Sequence, residues 1–329
     1  MFDRPDVLVL GGGGVLGEAW LRSCLAGLAD GSGWDPRGCE ALVGTSAGSI
    51  VAAALAAGRA PEAAGGAAAA WEERAADAAR EVASGDGDPT AGHGIAGGGM
   101  PGLAGGARSA LLRGGLGVAG RVTAIVATPV VPAASTALAP ARAAVRAAIL
   151  RLGRPPTRDI PGLRPALERL GARFDGQLRV TAVDRATGRR VVFGAPGAPA
   201  AEVTDAVLAS CAVPWMFRPV EIGGRAYVDG GAWSPSNLDA APVRRGTTVL
   251  CLNPTATPRL AGDRTGVVRG FATAAAAAES LALRRRGARV RVVAPDAASV
   301  AVIGRSLFDQ RRRHAVAAAG YAQGRALAG

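Results

Sequence analysis

The segment Ala41-Leu42-Val43-Gly44-Thr45-Ser46-Ala47-Gly48-Ser49-Ile50 constrains this chain more than any other. Apolar residues of strand character run into a Gly-x-Ser-x-Gly turn, and an alanine-rich helical stretch leaves it. Gly44 and Gly48 lack Cβ atoms, so strand and helix can approach closely around a strained central residue. Ser46 then stands at the edge of the sheet, under the positive end of the following helix, where a hydroxyl becomes a nucleophile. The pattern alone says little in a chain with 48 glycines. Its place between strand and helix gives it meaning.

The rest of the N-terminal region repeats the same rhythm. Val7 to Leu10 reads as an all-apolar strand, followed by Gly11-Gly12-Gly13-Gly14 and a helix from about Leu16 to Ala29. The Ala41–Val43 strand and a helix ending near Gly58 complete a β-α-β-α start, which predicts a parallel sheet covered on both faces. Beyond a helix predicted over Ala67–Val82, a glycine-dense stretch from Ser84 to Gly106 reads as a loop, and Val122–Val126 as a strand. Pro140 to Leu152 has helical spacing, with Val145, Ile149 and Leu152 on one side and Arg142 and Arg146 on another. It reads as an ordinary surface helix, or as one that lies on a membrane. Strands follow at Leu178–Val183, Arg190–Phe193, Glu221–Ile222, Ala226–Val228, Thr247–Leu252 and Val290–Val293. Helices are predicted at Leu163–Leu170, Ala201–Ala212, Phe271–Arg285 and Asp309–Leu327. At 329 residues the chain is read as one domain over 1–329, with an excursion over about 60–158.

Charge narrows the range of partners. The formal net charge is +12, and all 38 basic residues are arginine. Between Arg108 and Arg173 the only acids are Asp159 and Glu168, and further arginines cluster at 284–291 and 311–313. That balance favours an anionic membrane surface or a simply solvated arginine face. Nucleic acid is not expected, because no zinc knuckle, helix-turn-helix or aromatic interleaving accompanies the charge. Cys24, Cys39, Cys211 and Cys251 lack CxxC spacing and read as buried free thiols of a reducing, cytoplasmic compartment. Neither a signal peptide nor a transmembrane segment is recognised.

An acyl-transfer site needs a nucleophile, a proton acceptor and donors for the developing oxyanion. Ser46 supplies the first, and the amides of Gly11–Gly14 can form an anion-binding nest. A rival meaning exists, since Gly12, Gly14 and Gly17 also satisfy the dinucleotide pattern G-x-G-x-x-G. That reading requires an acid closing the second strand, and the serine turn occupies this place. As for the base, the chain has two histidines: His93 in the glycine-dense stretch and His314 after three arginines. Neither follows a late strand, where a hydrolase triad offers its histidine. Asp229 ends an apolar strand and precedes Gly230 and Gly231, which holds a carboxylate at a sheet edge with little cover, although Asp-Gly-Gly is also a common turn sequence.

Together these residues resemble the patatin-like phospholipase family. The resemblance rests on the glycine loop Gly11–Gly17, the Gly44-Thr45-Ser46-Ala47-Gly48 motif and Asp229-Gly230-Gly231. A fourth element is the segment from Ala209 to Val220, with its Pro-Trp-Met-Phe run. It implies a three-layer α/β/α fold with a mainly parallel sheet, and a Ser46–Asp229 dyad without histidine. It further implies an oxyanion hole from Gly12, Gly13 and Gly14, and hydrolysis of acyl-lipid esters without cofactor or metal. The excursion would carry a lid or acyl-binding surface. One departure stands out: Leu16 occupies a place where the family commonly has Arg or Lys, so Leu16→Arg is expected to leave activity unchanged or raise it. The competing readings are a catalytically weak membrane- or protein-binding module on the same fold and a soluble short-chain esterase.

Overall fold

Four consecutive apolar residues with side chains on both faces need cover on both sides. The Val7–Leu10 strand, β1, has it: all four residues are buried at the centre of one eight-stranded sheet. The computed structural model describes residues 2–62, 139–152, 154–256, 266–304 and 306–329. The further strands are β2 (Ala41–Thr45), β3 (Leu178–Asp184), β4 (Arg190–Phe193), β5 (Val220–Ile222), β6 (Arg225–Asp229), β7 (Thr248–Leu252) and β8 (Arg289–Val293). The helices are α1 (Gly14–Ser32), α2 (Ala47–Ala56), α3 (Ala139–Leu150), α4 (Leu163–Leu170), α5 (Val203–Cys211), α6 (Gly266–Arg285), α7 (Ala297–Ile303) and α8 (Arg313–Ala328). The helix predicted over Ala67–Val82, the Ser84–Gly106 stretch with His93, and the Val122–Val126 strand lie outside the described residues, as does most of the predicted excursion.

Strands β3, β2, β1, β7 and β8 run parallel in that order, while β4, β5 and β6 pair antiparallel. Alternation along the strands divides the core. Leu8, Leu10, Leu42, Val180, Leu250 and Leu252 join α1, α2, α4 and α5 on one face. Val7, Val9, Val43, Val249 and Val290 meet Leu238 and Leu283 of α6 on the other. The architecture is therefore three-layer α/β/α around a largely parallel sheet. The C-terminal α8 lies on α1, where Trp20 Nε1 donates to Gln323 Oε1 at 3.0 Å.

Strand registers contain the feature that matters most for function. Thr181 and Ala182 of β3 pair on one side with Val192 and Val191 of β4. Their other side is shared: Thr181 pairs with Thr45, the last residue of β2, and Ala182 with Asp229, the last residue of β6. Because β2 is parallel to β3 and β6 antiparallel, the two strands run towards each other along one edge and meet at their C-terminal ends. A residue has only two hydrogen-bonding sides, so no other arrangement satisfies these registers.

Several expectations are corrected. Arg146 of α3 does not lie on an outer face but is buried, with Nε on the Ala232 carbonyl (3.0 Å) and Nη1 on the Gly188 carbonyl (2.9 Å). The predicted apolar side of that helix is split: Val145 and, two residues past the helix end, Leu152 are 48% and 50% exposed, while Ile149 packs against a core cluster that includes the buried Leu150. Helix α7 was not legible in the sequence, since seven residues are too few to establish a period. Its N-cap is Asp296, whose Oδ1 accepts from Ser299 N at 2.8 Å.

Leu16 is also corrected. Its side chain has no solvent exposure and belongs to the main core, while its N–H donates to the Leu307 carbonyl at 3.0 Å. A guanidinium there would be a charge in an apolar core without a partner. Leu16→Arg is therefore predicted to lower unfolding free energy by about 3 kcal/mol or more, read from urea-denaturation midpoints. A variant as stable as the parent and equally active would contradict this packing.

Candidate active site

Ser46 sits where β2 ends and α2 begins, with φ 51° and ψ −123°, a backbone conformation that few non-glycine residues adopt. The strain persists because the neighbours leave no alternative. A Cβ on Gly44 would lie 2.4 Å from Ser49 Cα, and one on Gly48 only 2.1 Å from the Leu10 carbonyl oxygen. Strand, turn and helix thus pack backbone to backbone. Two hydrogen bonds fasten the turn: Ser46 N donates to Ser210 Oγ at 2.8 Å, and Ser49 Oγ donates to the Ser46 carbonyl at 2.6 Å.

Asp229 arrives at the same point from the opposite direction. Its backbone N–H donates to the Ala212 carbonyl at 2.9 Å, and its Oδ1 accepts from Gly231 N at 2.7 Å. Ser210 and Ala212, in the segment that carries the fourth element of the resemblance, therefore touch the backbones of both Ser46 and Asp229. Gly230 has no room for a side chain, because a Cβ would meet the Thr181 carbonyl oxygen at 2.5 Å. Burial raises the Asp229 carboxyl from its ordinary 3.8 to about 7, against the lowering effect of the Gly231 N–H and the Ser46 hydroxyl. A carboxylate so raised is a far better proton acceptor near neutrality than an exposed one.

The glycine loop lies over this junction. Gly12 packs against Ser46, since a Cβ there would stand 3.3 Å from Ser46 Cβ. Its amide differs from the expectation: Gly12 N donates to the Pro235 carbonyl at 2.8 Å, and Gly11 N to the Leu252 carbonyl at 2.9 Å. Those amides hold the loop in place. Among the described residues, the N–H groups of Gly13 and Gly14 have no such acceptor. Gly13 caps α1 with extended backbone, and a Cβ on it would come within 2.8 Å of both Gly17 Cα and Pro254 Cβ. Gly17 in turn donates its N–H to the Gly13 carbonyl at 2.8 Å, closing the first turn of the helix.

Sequence reasoning missed a buried polar group beneath the junction. Asn237 Nδ2 lies within hydrogen-bonding distance of Thr45 Oγ1 (3.1 Å), the Gly230 carbonyl (3.1 Å) and the Ser234 carbonyl (2.6 Å). No motif marks it. Its only sequence signal is proximity to Asp229, eight residues earlier. No histidine contacts Ser46 or Asp229 among the described residues, and His314 is exposed on the first turn of α8. The four cysteines are free and buried, and burial pushes Cys24 and Cys39 up to about 12, so neither is a nucleophile near neutral pH.

The raised Asp229 pKa has a consequence for stability. Between pH 4 and pH 7 the unfolded chain has released this proton while the folded protein retains it, so stability falls as pH rises through that window. The full effect is on the order of 4 kcal/mol. Asp229→Asn keeps an acceptor for Gly231 N and carries no charge. It is predicted to be more stable than the parent by a few kcal/mol at about pH 8.5, with the gap closing on acidification towards pH 4. Denaturant titrations at the two pH values measure it, and a variant less stable at pH 8.5 would contradict the desolvated carboxylate.

No helix among the described residues is long and apolar enough to cross a membrane. No curated protein matches the chain at a significant level. The family model for patatin-like phospholipase matches residues 8–242, which include the glycine loop, the serine turn and the Asp-Gly-Gly turn. With well over half of its length matched, the chain belongs to the patatin-like phospholipase family, hydrolases that act on lipid esters.

Proposed function

We propose that the protein hydrolyses carboxylic esters of acyl lipids through Ser46 and Asp229 by way of an acyl-enzyme. The observation that carries this reading is the end-to-end meeting of β2 and β6 on β3, which puts a strained serine beside a desolvated carboxylate. In the forward step Ser46 Oγ attacks the acyl carbonyl carbon while Asp229 accepts the hydroxyl proton. The carbonyl oxygen becomes an oxyanion that the Gly13 and Gly14 amides receive, with the N-terminal end of α2 adding positive potential. Collapse expels the alcohol, which takes the proton back from Asp229. Water then attacks the acyl-serine while Asp229 accepts its proton, and collapse breaks the acyl–Oγ bond, releasing the fatty acid as Ser46 Oγ takes that proton from Asp229. A pure binding module has no use for a strained serine or for a buried carboxylate that costs stability.

Engagement of a lipid surface is supported by α3. Val145 and Leu152, half-exposed apolar residues, stand on and just beyond this helix, and the exposed Arg151 and Arg154 flank Leu152 in the chain. Apolar side chains that enter the acyl boundary next to cations that meet anionic headgroups suit peripheral binding.

Ser46→Ala is predicted to abolish both ester turnover and covalent labelling by a fluorophosphonate, whereas folded His314→Ala retains both. Turnover of p-nitrophenyl esters should rise with acyl length, and salt should weaken binding to anionic vesicles. Equal loss in His314→Ala and Ser46→Ala would overturn the dyad. Turnover confined to acetyl and butyryl esters, without vesicle binding at low salt, would overturn the lipid substrate.

A further inference from the structure

We infer that Asn237 is a positioning residue that sets the approach of Ser46 to Asp229 by hydrogen-bonding both arms of the junction at once. The inference rests on the Ser46–Asp229 reading above and adds a residue that touches neither substrate nor reacting atoms.

Asn237 is fully buried and held at φ 46°, a left-handed conformation that asparagine tolerates better than most residues. The orientation of its amide follows from its neighbour. Arg190 Nη1 lies 3.1 Å away, and a guanidinium only donates, so the atom facing it is Oδ1. Arg190 is itself fixed by Asp239, with Nη2 on Oδ2 at 2.9 Å. The amide nitrogen must then face the other way, towards the junction.

Asn237 Nδ2 donates to Thr45 Oγ1, and because Thr181 gives its proton to Gly44, the Thr45 hydroxyl donates to Thr181 Oγ1 at 2.8 Å. Thr181 Oγ1 in turn donates to the Gly44 carbonyl at 3.3 Å. The two residues before the nucleophile are thereby tied to one amide. The same nitrogen lies 3.1 Å from the Gly230 carbonyl, one residue after Asp229, and 2.6 Å from the Ser234 carbonyl, so its two protons are shared among three acceptors that include both arms. Thr45, Thr181 and Asn237 have no solvent exposure, so water cannot replace a lost bond. Two strands meeting end to end have no ladder hydrogen bonds to each other across the gap, and Asn237 supplies a direct tie.

The test uses the full-length protein with a soluble ester, so that kcat and KM separate from surface binding. Asn237→Gly keeps access to the left-handed backbone but removes the amide, and Asn237→Asp keeps an acceptor for Arg190 but cannot donate to Thr45 or Gly230. Both are expected to lose about 10²-fold in kcat with KM changed little, as for a displacement of reacting groups. The acidic limb of the pH profile should also move to higher pH, because a retreating Ser46 hydroxyl no longer favours the charged form of Asp229. Should either variant fail to fold, Thr45→Val removes the acceptor on the serine side alone, with the same direction expected in kcat and in the limb. Folded variants with parental kcat and an unmoved limb would overturn the positioning role. Parental activity in Ser46→Ala would instead show that the dyad itself is wrong, so the two failures are distinguishable.

Discussion

The whole site depends on two strands that share one edge of β3. Thr45 and Asp229 pair with adjacent residues of that strand, Thr181 and Ala182, from opposite directions. Neither residue is brought there by a flexible loop. The peptide geometry of the sheet fixes their separation, and the layers of helices on both faces fix the sheet. Sites built on such elements hold geometry more tightly than sites built on loops. The glycines at Gly44, Gly48 and Gly230 follow from this constraint, since each lies where another backbone leaves no room for a Cβ.

The same burial that places Asp229 makes it useful and makes it costly. Desolvation carries its pKa to about 7, where a carboxylate can take a proton from a serine during catalysis. Above that pH the buried charge works against folding. A protein that tolerates this cost at one residue must gain elsewhere, and the polar groups beneath the junction are all paired with one another rather than left open. Arg190, Asp239, Asn237, Thr45 and Thr181 form one connected set. Buried networks of this kind are favourable only when every member is satisfied.

Much of this was legible in the sequence, for physical reasons that can be named. The serine turn and the glycine loop are local features, in which spacing and the absence of side chains dictate conformation, and they were read in place. The position of Asp229 at the end of an apolar strand was legible, but Asp-Gly-Gly is also a common turn sequence, and only the pairing of that strand with β3 brings the residue next to Ser46. The orientation of α3 was not, because Arg146 breaks the rule that charges face water. Its guanidinium is compensated by carbonyls of Ala232 and Gly188 and by the Trp233 ring 4.4 Å away, partners distant in sequence. Leu16 misled for a related reason, since family resemblance says what usually stands at a position and nothing of the core around it. Gly12 could not be told from Gly13 by composition. Only the location of the Pro235 carbonyl decides which amide is engaged. Asn237 depends on contacts that no local pattern encodes.

The central claim is that Asp229, desolvated at the junction of β2 and β6, is the base that activates Ser46. The most direct measurement is the pH dependence of acylation in single turnover, followed as release of the leaving group before deacylation. The account predicts a rate that rises through one ionisation with a midpoint near pH 7 and is flat above it, as for a carboxylate raised to about 7. A midpoint near pH 4, or a rate indifferent to pH across this range, would contradict it.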